Sequence, residues 1–152
     1  MYMKFTSIGA LFTAAILLFS SPALSSSTGY KEALKSSSAL YEQGRFQEAI
    51  PFAKEALSVA EQKIGADDIA FAGPLDKLAA LYEAEMHCAK AQLLYLRALD
   101  IRIEAFGPRH SKVVESLINL ALVYDALGEY SAALKMDARA AEIIEADGLQ
   151  GA

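Results

Sequence analysis

The side chains with the widest chemical reach in this 152-residue chain are two histidines, one cysteine and a pair of adjacent aspartates. His87 and His110 could transfer protons near neutral pH, but each stands where a turn or loop is expected, and a solvated or helix-capping role accounts for it. Cys88 could act as a reactive thiol or bridge to another chain. Its neighbour His87 is the one cationic group in sequence reach that would lower its pKa, and a small buried hydrophobe is the simpler reading. Asp67 and Asp68 could share acid and base work, yet no third group supports them, and carboxylates at a helix start meet the positive end of the helix dipole. Ser111, beside His110, is expected to cap the following helix by accepting from a free backbone amide. The chain has no glycine-rich phosphate loop, no Cys and His spacing suited to zinc and no Gly-x-Ser-x-Gly elbow. It reads as a protein with no catalytic residues, no metal and no cofactor, and not as an enzyme.

The elements that position these side chains repeat. Shifting the sequence against itself by 42 residues aligns Ala49, Ala91 and Ala133, then Ala56, Ala98 and Ala140, then Leu40, Tyr82 and Tyr124. Phe46, Cys88 and Tyr130 form a fourth column, and Gly44 and Gly128 a fifth. On both sides of the glycine column apolar residues recur at spacings of three and four, which predicts two helices per repeat. In the third repeat Val114, Leu117, Leu120, Ala121 and Tyr124 mark one core stripe, and Ala133, Met136, Ala140, Ile143 and Ile144 mark the other. Glycine ends the first helix because it adopts the left-handed conformation without strain. Alanine at the shared columns lets helices approach closely, and the aromatic at 46 or 130 is expected to fill the space beside each crossing.

This pattern resembles the tetratricopeptide repeat, most clearly in Leu117, Leu120, Ala121, Tyr124, Gly128, Tyr130, Ala133 and Ala140. The 42-residue period, with Ala91, Leu94, Tyr95, Arg97, Ala98, Leu99, Ile101, Gly107 and Asn119, is similar to the kinesin light chain style of that repeat, although no long heptad segment follows. The resemblance implies an all-α, right-handed superhelical array of three antiparallel helix-turn-helix repeats, about six helices, with repeats at about 30–63, 68–105 and 111–147. Four positions depart from it. Met86 replaces the glycine, Ser111 stands where Pro is usual, Gly73 and Pro74 fall inside an expected helix that should kink or begin late, and Pro51 lies inside another.

The family's first helices line a concave face where a peptide or partner protein docks. Register then assigns partner binding to Lys35 and Ser38 in repeat one, with Lys31, Leu34 and Tyr41 beside them. It adds Asp76, Lys77 and Glu83, then Ile118, Asn119, Leu122 and Asp125, with Asn119 at the family's peptide-binding asparagine. Ile118 and Leu122 lie one turn apart and off the core stripe, which favours a groove over a solvated face. The last helix carries apolar residues on more than one side, with Leu134, Met136 and Ile143 as candidates for self-association into a homo-oligomer, because repeat arrays ordinarily end on a polar cap. Two functions follow: a protein-binding adaptor using the concave face, or a structural module oligomerising through its last helix.

The N-terminus reads as a secretory signal over residues 1–25: Lys4, an apolar run from Ile8 to Phe19, then Pro22 and small residues. The run is short for a membrane span, so cleavage should leave the 26–148 domain and a 149–152 tail free of the membrane, in the periplasm or secreted. Of 14 basic residues only Lys4 precedes Lys31, so the mature chain would carry 13 against 19 acidic ones, a net of about −6. That balance disfavours nucleic acid. With 54% hydrophobic and 22% charged residues the chain suits one packed domain, held without an intramolecular disulfide.

Overall fold

The computed structural model describes residues 27–65 and 67–150. The expected signal over 1–25 lies outside them. The described residues form six helices and no strand: α1 (Ser27–Glu42), α2 (Phe46–Ile64), α3 (Ala72–Ala84), α4 (Cys88–Phe106), α5 (Ser111–Ala126) and α6 (Tyr130–Gln150), with a short 3-10 turn (Ile69–Phe71) before α3. Each helix packs on its neighbours in sequence, most extensively within the pairs α1/α2, α3/α4 and α5/α6, and α2 on α3 and α4 on α5 stack the pairs into an array. No helix among the described residues is long and apolar enough to cross a membrane.

The same backbone device closes all three pairs. Arg45 N donates to Leu40 O at 2.9 Å, His87 N to Tyr82 O at 2.7 Å and Glu129 N to Tyr124 O at 2.8 Å, so each first helix ends by tying the residue beyond the turn back to its last carbonyls. The residue inside the loop takes positive φ: Gly44 at 71°, Gly128 at 77° and Met86 at 59°. Met86 therefore adopts the glycine conformation with a side chain attached.

The alanine columns lie where expected. Ala49, Ala91, Ala56 and Ala98 have no accessible surface, and Ala133 and Ala140 are buried. Repeat one buries only small side chains, Ala33, Ser37, Ala49, Ala53, Ala56 and Ala60, with larger residues such as Leu40 and Phe46 half-buried at its edge. The largest fully buried side chains, Phe71, Leu75, Leu81, Val113, Leu117, Leu120 and Val123, all belong to repeats two and three.

Helix starts follow the local chemistry with one correction. Asp68 Oδ1 accepts from Ala70 N at 2.8 Å, capping the 3-10 turn, and α3 begins late enough to place Pro74 in its first turn, where a missing N–H costs nothing. Pro51 is carried inside a continuous α2. Ser111 does not cap α5. His110 does, its Nδ1 accepting from Lys112 N at 3.1 Å while its ring stacks on Phe106 with centroids 4.5 Å apart. An imidazole braced by a neighbouring ring reaches that amide, and Ser111 is already the first helical residue.

The last helix corrects three further expectations. Tyr130 is 65% exposed and fills no space at the crossing, and Ile144 is 55% exposed rather than on the core stripe. Ile143, expected at an association surface, is 3% exposed and belongs to the main core, against which Met136 is also packed. Leu134 alone of the three association candidates faces out, at 69% exposure.

Candidate functional site

Two grooves run along the first helices of the array. The larger, about 820 Å³, is walled by Ser37, Ser38, Tyr41 and Glu42 from α1, by Asp76, Lys77, Ala80 and Glu83 from α3, by Met86, by Cys88 and Tyr95 from α4, and by Asn119 and Ala126 from α5. Five residues assigned by register, Ser38, Asp76, Lys77, Glu83 and Asn119, thus share one surface. Lys35 is exposed on α1 but is not part of the wall. Ile118, Leu122 and Asp125 are not in this groove either: they line a second one of about 380 Å³ between α5 and α6, with Tyr130, Leu134 and Asp137. The structure thus divides the α5 residues assigned by register between two grooves, Asn119 on the larger and Ile118, Leu122 and Asp125 on the smaller.

The larger groove is fastened from below. Arg102 of α4 donates to Ser116 of α5 and forms an ion pair with Asp76 of α3, joining three helices. The guanidinium is buried, and Asp76 Oδ1 is buried with no partner. Burial pushes the Asp76 carboxyl above its ordinary range; Arg102 pulls it back down and the charge of Glu115 adds to the rise. Taking two charges out of water costs several kcal/mol per ion in order of magnitude, and their attraction offsets this only when hydrogen bonds complete the shell; Ser116 adds one to the guanidinium, while Asp76 Oδ1 goes without. Asp76 is therefore committed to holding α3, α4 and α5 together and offers little to a partner.

Above that base the polar groups are arranged across helix boundaries. Lys77 Nζ donates to Ser38 Oγ at 3.2 Å, bridging repeats two and one. Tyr95 Oη donates to Glu83 Oε2 at 3.2 Å, and burial, then the Glu83 charge, pushes the phenol upward, so it stays a donor. Asn119 offers an amide that both donates and accepts. Tyr41 is half-exposed, and Met86, at 77% exposure, is the more open of the two large exposed apolar residues on the wall. Ammonium, amide and carboxylate groups at intervals between flexible apolar ones suit a peptide backbone and its side chains, whereas a single small substrate would need them convergent.

Neither histidine joins the groove. His87 packs edge-on against Tyr82, with ring centroids 6.0 Å apart, and His110 is spent on its cap. Cys88 is buried on the groove wall. Tyr95 and Met86 are among the groove residues that register did not assign, with Ser37, Glu42, Cys88 and Ala126. A signal for Tyr95 was present: a large phenol stands where repeat one has Ala53 and repeat three has Asp137, and a phenol held among core residues must find a polar partner.

Family models described as tetratricopeptide repeat match residues 70–146 and 37–70. Among solved structures, BtubC (BKLC) from P. vanneervenii superposes with a TM-score of 0.75 at 25% identity, covering 81% of this chain and 49% of that one. The chain thus spans about half the length of that protein. The TPR domain of Arabidopsis FLU gives 0.69 at 18% identity, covering 78% and 97%, and the N-terminal domain of stress-induced protein-1 (STI-1) from C. elegans gives 0.58 at 16%, covering 78% and 88%. The last two establish the fold alone. No curated protein matches the chain.

Proposed function

The chain belongs to the tetratricopeptide repeat family, and from that premise we propose that it is a non-enzymatic adaptor that binds an extended peptide or partner protein along the groove of α1, α3 and α5. Repeats of this kind generally serve as protein-protein interaction modules, which sets the class. The observation that carries the finer reading is the convergence of Ser38, Lys77, Glu83 and Asn119, each from the first helix of its repeat, on one groove of about 820 Å³. Lys77 and Asn119 occupy the same register position in successive repeats, one turn of binding groups per repeat, so a peptide lying across both meets an ammonium and then an amide. Tyr41 and Met86 supply apolar contact between them.

The test is site-specific photo-crosslinking in cells of the source organism. A crosslinker replacing Ser38 or Asn119 should give the same discrete adduct, while one at the exposed Leu93 or Arg97, outside the groove, should not. Lys77→Glu with Asn119→Ala should remove the adduct with helical content unchanged. Adducts at all four positions alike, or none at the groove, would sink the reading.

Export belongs to the same proposal. Lys4, the Ile8–Phe19 run and the small residues after Pro22 support a cleaved leader. N-terminal sequencing of protein recovered from cell fractions decides it: a periplasmic or secreted chain starting near residue 26 agrees, and an intact Met1 on cytoplasmic protein does not.

A further inference from the structure

The two ends of the larger groove differ in sign. Lys77, the only cation on its wall among the described residues, reaches toward α1 and donates to Ser38 Oγ at 3.2 Å. The other end, where the first helices stop, carries Glu42, Glu83, Tyr41 and Met86 and no cation. Neither glutamate is ion-paired among the described residues. Of the cations on the adjoining elements, Arg45 pairs with Glu48 and Arg102 with Asp76, while Lys54 and Lys90 lie over the Tyr82 ring.

Local helix chemistry does not account for these acids. Glu42 is the last residue of α1 and Glu83 the last but one of α3, where the helix dipole is negative and a carboxylate is unfavourable. α5 brings its final residue, Ala126, to the same end, and none of the three helices has a basic residue in its last turn. Glu83 is moreover held in place. Tyr95, 3% exposed, donates to its Oε2 at 3.2 Å and leaves Oε1 without a hydrogen-bond partner among the described residues. Repeat one has Ala53 and repeat three Asp137 where repeat two has Tyr95, so the brace belongs to this groove alone. A carboxylate fixed in advance by a buried donor has little left to order when it binds.

We infer that this end of the groove takes a Lys or Arg side chain of the bound peptide, its stem along Met86 and Tyr41 and its charged head on Glu83, with Glu42 beside it. The inference rests on the groove binding a peptide and adds that the peptide is basic at this point. Both kinds of wall residue then have a use. A long cationic side chain covers apolar surface with its methylenes while its head pairs with acid. The half-exposed Tyr41 ring, held against Phe46 with ring centroids 5.2 Å apart, is available for cation–π contact.

The probe is a random peptide library displayed on phage and selected on the immobilised full chain. A parallel selection uses Ala80→Trp protein of the same helical content, in which the indole fills the wall between Lys77 and Glu83. Sequences that need the open groove should carry Lys or Arg several-fold above the starting library. By fluorescence anisotropy the leading peptide should bind Glu83→Gln protein at least about tenfold more weakly. Tyr95→Phe, which keeps the carboxylate and frees it to move, should weaken binding by a smaller factor, and replacing the peptide's basic residue with Glu should be rescued by Glu83→Lys. Groove-dependent sequences that are acidic or neutral, or basic ones indifferent to Glu83→Gln, overturn the inference and leave the groove as a peptide site. An absence of groove-dependent sequences overturns both. A dimer of the full chain that Glu83→Gln disperses also overturns the inference, because a second copy would then occupy the groove.

Discussion

Arg102 and Asp76 lie 26 positions apart in sequence and meet as an ion pair under the floor of the larger groove. Removing one partner strands the other's charge in a buried site. Arg102→Met should cost about 3 kcal/mol of unfolding free energy at neutral pH by leaving the Asp76 carboxylate unpaired, while the double replacement Asp76→Leu with Arg102→Met should leave stability near the parent's, since apolar pairs of similar volume often substitute without loss. Urea denaturation of the three proteins decides it, and a single variant as stable as the parent would show that the pair contributes nothing.

The same pair sets a pH dependence. Because burial raises the Asp76 carboxyl above its ordinary 3.8, the folded chain holds that proton more tightly than the unfolded one. The contribution is fully present below the unfolded value and is lost as pH rises through the folded one. As pH rises from below 3.8 through the folded value, the parent should therefore lose stability relative to the Asp76→Leu/Arg102→Met protein. A difference that stays flat, or moves the other way, contradicts the assignment.

Met86 holds φ at 59° where the other two repeats have glycine. A left-handed conformation costs a residue with a side chain about 1–2 kcal/mol, part of which glycine returns through its freer unfolded state. Met86→Gly should raise stability by about 0.5–1 kcal/mol, read as a higher denaturation midpoint. If Met86 contributes apolar contact to the groove, the same variant should bind the groove partner more weakly, which separates the two roles of one residue.

His110 and Ser111 exchange roles relative to the expectation from their sequence. His110→Ala should cost about 1 kcal/mol, the ordinary worth of an N-cap, and Ser111→Ala less than about 0.5 kcal/mol. The reverse order in thermal melts would restore Ser111 as the cap.

Ile143 and Leu134 sit on opposite faces of α6. Ile143→Ala should cost about 2–4 kcal/mol through the cavity it leaves, and Leu134→Ala within about 0.5 kcal/mol. Comparable losses at both positions would mean that Leu134 is covered in solution.

Architecture was legible because close helix crossings leave so little freedom. A residue at the crossing must be small and a residue in the tight turn must reach positive φ, so Ala49, Ala91 and Ala133 and the Gly44 and Gly128 pair announce themselves at a fixed period. The larger groove was partly legible for the same reason: Ser38, Asp76, Lys77, Glu83 and Asn119 follow from register once the period is known. What register cannot carry is which of two grooves a side chain of α5 lines. Ile118 and Leu122 occupy binding positions by count but lose the neighbouring helix that would make those positions part of a shared wall. Nor does a repeat pattern announce pairings unique to one repeat. The Arg102, Asp76 and Ser116 cluster needs three particular side chains from three helices, and each of its members stands in a column that holds unrelated residues elsewhere. His110 was missed for a local reason, since serine is the statistically favoured cap and the brace supplied by Phe106 exists only once the chain has folded.

The uneven filling of the interior has a consequence for how the molecule comes apart. Repeat one is sealed by alanines, and every bulky side chain that is fully enclosed lies at Phe71 or beyond. Opening α1 and α2 sacrifices little enclosed hydrocarbon, whereas opening α5 breaks the densest seam and a charged tie as well. Amide hydrogens along α1 should exchange with solvent first and those of α5 last, so a protease or a pulling force applied at either terminus would peel the molecule from its amino end.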